Sequence, residues 1–442
     1  MKVMKWSAIA LAVSAGSTQF AVADAFVSDQ AEAKGFIEDS SLDLLLRNYY
    51  FNRDGKSGSG DRVDWTQGFL TTYESGFTQG TVGFGVDAFG YLGLKLDGTS
   101  DKSGTGNLPV MNDGTPRDDY SRAGGAEGTH LQDHAEVGRD AADRSGLRRW
   151  GQPPVPQTAT GFQLQSSELE GLDLEAGHFT EGKEPTTVKS RGELYATYAG
   201  ETAKSADFIG GRYAITDNLS ASLYGAELED IYRQYYLNSN YTIPLASDQS
   251  LGFDFNIYRT NDEGKAKAGD ISNTTWSLAA AYTLDAHTFT LAYQKVHGDQ
   301  PFDYIGFGRN GSGAGGDSIF LANSVQYSDF NGPGEKSWQA RYDLNLASYG
   351  VPGLTFMVRY INGKDIDGTK MSDNNVGYKN YGYGEDGKHH ETNLEAKYVV
   401  QSGPAKDLSF RIRQAWHRAN ADQGEGDQNE FRLIVDYPLS IL

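Results

Sequence analysis

The 442-residue chain contains no cysteine. Disulfides, thiolate metal sites and thiol nucleophiles are thereby excluded. It also lacks any helix-period segment of useful length, and no apolar run after its first residues reaches the ~20 residues that a membrane-spanning helix needs. A mean hydropathy of −0.54 agrees with that. A helical membrane protein is therefore excluded, but a membrane barrel is not, because barrel strands turn only every second residue toward lipid. Positive charge is scarce too: 39 Lys and Arg against 59 Asp and Glu give a net charge of −20, which argues against nucleic acid as a partner. What the chain has in quantity is glycine (54) and tyrosine (26), residues of turns and strands.

Residues 1–23 read as an export signal. Lys2 and Lys5 supply its positive end, 7–15 are a short apolar run, and Ala21-Val22-Ala23 fits a small-residue cleavage site. Residues 24–442 then form one domain, since no linker divides them. Period-two alternation predicts strands over 42–52, 63–77, 81–96, 161–168, 171–179, 193–198, 207–215, 219–228, 231–243, 251–260, 275–284 and 288–296. Five more follow at 338–346, 354–360, 394–400, 407–418 and 431–437. Short turns such as Asp217-Asn218 and Asp285-Ala286 alternate with long polar loops, the pattern of an all-β, antiparallel transmembrane barrel of about 18 strands. A barrel that wide leaves an aqueous channel. Tyr49, Tyr50, Phe51, Trp65, Tyr235, Tyr236, Trp276 and Trp338 fall near strand ends and are expected to form interfacial girdles. Tyr437 and the final apolar residues are expected to act as the assembly signal, in place of a terminal phenylalanine.

The most informative stretch is 407–418, DLSFRIRQAWHR. Leu408, Phe410, Ile412 and Trp416 fall on one face, and Arg411, Arg413 and His417 on the other. Neighbouring strands repeat the arrangement with Arg341, Arg359, Lys397 and Arg432. Six cations on one side of adjacent strands repel one another, so the expected gain is functional: they line a lumen and attract anionic groups. A plainer reading pairs them with inward acids such as Asp343, Glu395 or Asp436.

Residues 35–53, GFIEDSSLDLLLRNYYFNR, and the whole of 161–442 resemble the OprD family of outer-membrane, substrate-specific channels. The resemblance implies an 18-stranded barrel in outer-membrane lipid, narrowed by inward-folded loops, as a monomer or weak homotrimer without cofactor. It implies passive uptake of carboxylate-bearing solutes, namely arginine, lysine and small peptides, with carbapenems such as imipenem also admitted. A basic ladder in such channels guides the carboxylate, and by position it falls on Lys397, Arg411, Arg413 and Arg432. The facing acidic and tyrosine positions, which take the solute's cationic end, fall on Asp317, Asp329, Tyr304 and Tyr198. One segment departs from the pattern. Alternation disappears over 126–156, so no normal strand is expected there, and Arg148 and Arg149 are unsafe substitutes for the family's loop arginine. A locally shifted reading frame accounts for it, because both flanks stay in register.

Other motifs weigh less. Gly306–Gly316 contains G-x-G-x-x-G, but no helix follows to make a dinucleotide site, so a constricting loop is expected. Gly316-Asp317-Ser318, preceded by His178 and Asp230, has the residue types and order of a serine peptidase triad without the Gly-Gly that should follow the serine. Peptidase activity is kept as an alternative, as is a non-conducting structural barrel. His389-His390 point to opposite faces of a strand and are expected at a solvated loop end rather than on a metal. The acidic run 422–427 lacks an ordered calcium-liganding pattern.

Overall fold

Alternating sequences of this kind fold only where each strand finds a neighbour on both sides, and in lipid that means a closed ring. The structure, a computed structural model, describes residues 33–56, 60–80, 83–131, 133–141, 156–186, 192–309 and 319–442. In chain order its strands are β1 (Ser41–Gly55), β2 (Arg62–Glu74), β3 (Gly83–Gly98), β4 (Asp119–Leu131), β5 (Asp133–Ala141), β6 (Thr158–Leu169) and β7 (Leu172–Lys183). Then come β8 (Glu193–Ala196), β9 (Thr202–Ala203), β10 (Ala206–Thr216), β11 (Leu219–Leu228), β12 (Tyr232–Ala246), β13 (Gln249–Asp262) and β14 (Ser272–Leu284). The last are β15 (His287–His297), β16 (Ile305–Arg309), β17 (Lys336–Asn345), β18 (Leu354–Ile366), β19 (Gly387–Val399), β20 (Ser409–Ala419) and β21 (Gln428–Ser440).

Among the described residues, eighteen of these strands form one antiparallel sheet. It closes because β1 pairs with both β2 and β21. No helix among the described residues is long and apolar enough to cross a membrane. The outer face is apolar: Ile209, Leu223 and Leu291 are 68%, 63% and 66% exposed, while their sequence neighbours face the lumen. The remaining strands, β8, β9 and β16, make a small separate sheet.

Three expectations need correction. The strand expected at 193–198 is not part of the barrel wall. Leu194, Tyr195 and Ala196 are all buried, so both faces are covered, as an element packed within the barrel requires. The segment from 126 was expected to lose its strand, yet β4 and β5 pair with each other and with β3 and β6. Ladder bonds use the backbone, and two neighbours offering free edges suffice to order it. Arg148 and Arg149 lie outside the described residues, as does the 1–23 segment. The aromatic girdle is only partly as expected. Trp65, Tyr235 and Trp338 are exposed on the outside, whereas Tyr49 and Phe51 are buried. Consecutive aromatics must split between the two faces, which sends Tyr50 one way and its neighbours the other.

The outward face gives a direct test. Leu291→Arg places a charge amid apolar surface and is expected to cost about 2–4 kcal/mol if it lies near the bilayer midplane. Urea titration of the refolded protein in phospholipid vesicles measures it, and an unchanged midpoint would mean that this face does not meet lipid.

Candidate functional site

Closure brings β17, β18, β19, β20, β21 and β1 side by side, so the expected cations share one wall. Register places Arg341 opposite Arg359, Lys397 opposite Arg411, and Arg413 opposite Arg432. Arg359, Lys397, Arg413 and Arg432 are buried on the inner face, and Arg341 and Arg411 are half-buried. Two further cations belong to this wall and were not anticipated: Arg47 and Arg53 on β1. Arg47 makes a two-pronged contact with Asp436 at 2.7 and 2.8 Å, and Arg53 meets Glu430 at 2.7 Å. Both stand in the quoted 35–53 stretch, two and four residues from Tyr49, so alternation alone was signal enough.

The acids of the plainer reading are also present, and they space the cations apart. Arg341 meets Asp343 at 2.6 and 2.7 Å, Arg411 meets Glu395 at 2.8 Å with Arg413 3.2 Å from the same oxygen, and Arg432 meets Glu430 at 2.6 Å. Arg359 donates instead to the Asn393 amide oxygen at 2.9 Å. The wall thus has eight cations interleaved with Asp343, Glu395, Glu430 and Asp436, together with Glu391. Arg432 also lies over the Phe51 ring at 4.6 Å and Arg53 over the Tyr327 ring at 5.2 Å, which gives the inward aromatics of β1 a use.

Facing elements come from the connection between β15 and β17, whose described parts are 298–309 and 319–335; the second folds back into the barrel. At its centre, Asp329 accepts hydrogen bonds from the hydroxyls of Tyr198 and Tyr304, each at 2.7 Å, and from Ser324 at 2.6 Å. Three of the four expected acidic and tyrosine positions therefore converge. The fourth, Asp317, lies outside the described residues. Burial, with Asp329 alongside, holds the Tyr198 phenol well above its ordinary pKa, so it remains a donor.

The loop is held by side chains that satisfy its backbone. Gln294 on β15 donates to the carbonyls of Asp329 and Phe330, and Glu391 on β19 accepts the amides of Tyr327 and Ser328, both at 3.0 Å. Arg432 donates to the Gln326 carbonyl at 3.2 Å. Asp303 accepts the amides of Tyr198, Ala199 and Tyr304 at 2.8–3.0 Å, which fixes both tyrosines. Burial pushes the Asp303 carboxyl up to about 6, against those three donors, which pull it down. Glu391 also accepts from Asn393, the partner of Arg359, so the Asp329 loop and the cationic wall belong to one bonded network.

A cationic wall bonded to an acidic, tyrosine-bounded pocket inside a closed barrel defines a passive pore for small solutes. The chain belongs to the OprD family: the family model, described as outer membrane porin, OprD family, matches residues 34–441. Porin D of Pseudomonas aeruginosa is 93% identical over 443 residues, with 100% of both chains covered. Porin-like protein GalP of Pseudomonas putida is 36% identical, over 93% of this chain and 95% of its own. A crystal structure of Pseudomonas aeruginosa OprD matches with a TM-score of 0.84 at 83% identity, covering 95% of this chain and 100% of that one. That of Pseudomonas aeruginosa OpdK with vanillate matches with 0.80 at 33% identity, covering 92% and 100%.

As an outer-membrane porin the chain is a passive channel. The peptidase arrangement does not assemble among the described residues: His178 pairs with Asp207 at 2.6 Å, and Asp230 with Lys265 at 2.8 Å. Ser318 lies outside them. His389 is likewise corrected. It is buried inside the barrel against Phe330 rather than solvated at a loop end, because the 319–335 segment and the β20–β21 loop cover it.

Asp303→Ala leaves three buried amides without their acceptor, at about 1–3 kcal/mol each. The tyrosines that hold Asp329 should then lose their fixed position. Single-channel recording is expected to show a noisier open state with larger conductance, and an unchanged trace would place the anchor elsewhere.

Proposed function

We propose that this pore conducts basic amino acids and small peptides across the outer membrane by facilitated diffusion, and admits carbapenems by the same route. The carboxylate of the solute would travel along Arg341, Arg359, Lys397, Arg411, Arg413 and Arg432, while its cationic end meets Asp329 between Tyr198 and Tyr304; Asp317 is assigned to the same side. The observation that carries this reading is the bonded link from Asp329's loop through Glu391 and Asn393 to Arg359, which supports a single passage with both charge types. The co-crystallisation of OpdK with vanillate, a carboxylate, agrees with the cationic wall. Guanidiniums replace a carboxylate's lost hydration with charge-assisted bonds, and a series of moderate sites permits exit as well as entry. Residues 1–23 direct export, and 24–442 stand in outer-membrane lipid as a single barrel or a weak trimer of barrels.

Reconstitution in a planar bilayer with arginine titration tests the assignment. Stepwise conductance with arginine-dependent block is expected, weakened in Arg411→Ala/Arg413→Ala. Asp329→Asn should weaken block by arginine more than block by benzoate, which has no cationic end. Open steps without block in the unaltered protein would leave a general pore and overturn the selectivity.

A further inference from the structure

A second cluster lies directly behind the loop that carries Asp329, and solute passage makes no use of it. His389 on β19 and His417 on β20 sit diagonally on the inner face, and the loop of residues 420–427 brings Glu425 to them. His389 Nδ1 and His417 Nε2 are 2.9 Å apart. Glu425 Oε2 lies 3.7 Å from the first and 3.4 Å from the second. Both histidine side chains are 0% exposed and that of Glu425 is 9% exposed.

The remaining atoms of the cluster are fixed in a way that orients those three. His417 Nδ1 lies 2.8 Å from the Gly426 carbonyl oxygen, which only accepts, so that nitrogen carries the proton and Nε2 presents a lone pair. His389 Nε2 lies 2.7 Å from Glu335 Oε1, and when Glu335 is the acceptor of that bond the proton sits on Nε2 and Nδ1 is bare. In that tautomer two imidazole lone pairs and a carboxylate oxygen converge on one point. Without an ion, the 2.9 Å contact is a hydrogen bond from His389 Nδ1 to His417 Nε2, and an ion would take that proton's place. Gln423 and Tyr381 brace the carboxylate, donating to Oε2 at 2.9 Å and to Oε1 at 3.3 Å.

We propose that His389 Nδ1, His417 Nε2 and the Glu425 carboxylate form a binding site for a zinc-class transition-metal ion, with Glu335 and Gly426 orienting the two histidines. Separations of 2.9, 3.4 and 3.7 Å surround the spacing of about 3.3–3.5 Å that tetrahedral ligands at zinc bond lengths require. Two imidazoles and one carboxylate suit zinc, cobalt or nickel rather than calcium or magnesium, which prefer oxygen. The three protein ligands leave a fourth position for water.

The site has a mechanical consequence. Phe330 stacks on His389 with ring centroids 4.0 Å apart, and Tyr327 packs on His417 at 4.8 Å. These two aromatics flank Asp329 in sequence. Glu335 ends the same loop. A bound ion ties β19, β20 and the 420–427 loop together beneath it, and so steadies the wall of the constriction without touching the solute.

The test uses the full-length protein purified in detergent and freed of metal with a chelator. Titration with cobalt(II) is expected to give one ion per barrel, with the visible absorption of a low-coordinate site. His389→Ala/His417→Ala should abolish it, and Glu335→Gln should weaken it about 10–100-fold. Zinc-edge anomalous scattering from crystals of the unaltered protein should give a peak between His389 and His417. In the bilayer, zinc should lower open-state current noise, reversibly with chelator. The proposal is overturned if the unaltered protein takes up no ion, or if the double variant binds as well, since exposed histidines such as His390 or His178 would then be the ligands. Should the variants fail to fold, the position of the anomalous peak decides the matter by itself.

Discussion

Closure of the sheet at the β1–β21 seam is the constraint from which the rest follows. A sheet edge left open in hydrocarbon exposes unpaired amides and carbonyls at several kcal/mol each, so the ring must complete. Completion sets β1 beside β21, with Arg47 opposite Asp436 and Arg53 opposite Glu430. Charges that begin and end the domain thus join a single wall. Closure also leaves the long loops nowhere to bury their apolar residues except inward, and 319–335 takes that course, with Ile319, Leu321, Val325 and Phe330 buried.

The wall then faces an electrostatic problem that its sequence solves by interleaving. Opposed cations some 6 Å apart at an effective dielectric near 20 repel by about 3 kcal/mol, and Arg413 faces Arg432 directly. Glu395 and Glu430 answer this by meeting Arg411, Arg432 and Arg53 at 2.6–2.8 Å. Complete neutralisation would leave nothing for a solute, and no neutralisation would not fold. With more cations than carboxylates, and five donors on each guanidinium, the wall keeps bonding capacity after its own pairs are made.

Much of this was legible in the sequence, for a definite reason. Period-two alternation separates Phe410 and Ile412 from Arg411 and Arg413 whatever their neighbours, so the lumen wall could be read strand by strand. The same rule applied to 47–53 yields Arg47 and Arg53, but three consecutive aromatics suggested an interfacial belt and masked them. Residues 193–198 alternate like a wall strand, and only their burial on both faces distinguishes them. The seating of the constriction loop was not legible at all. It depends on Glu391 and Asp303 accepting amides 63 to 105 positions away, and single-residue patterns do not encode such contacts. The acidic pocket came from family resemblance rather than from spacing, and His389 was weighed against the adjacent His390 when its partner is His417, 28 positions on.

On the transport reading proposed above, the Asp329 pocket would have a strength suited to transit. Its carboxylate already accepts from Tyr198, Tyr304 and Ser324, so on the proposed assignment an arriving cation would meet an acceptor whose charge is partly spread into three hydroxyl bonds. A carboxylate in the same half-buried place without those bonds would hold a guanidinium more firmly. Tyrosine hydroxyls supply the middle course, and burial keeps that of Tyr198 protonated. Their positions in turn depend on Asp303, which binds their amides rather than their rings and leaves the hydroxyls free to aim. On the proposed reading, selectivity would therefore rest less on the number of charges displayed than on how far each has been discounted by a neighbour before the solute arrives.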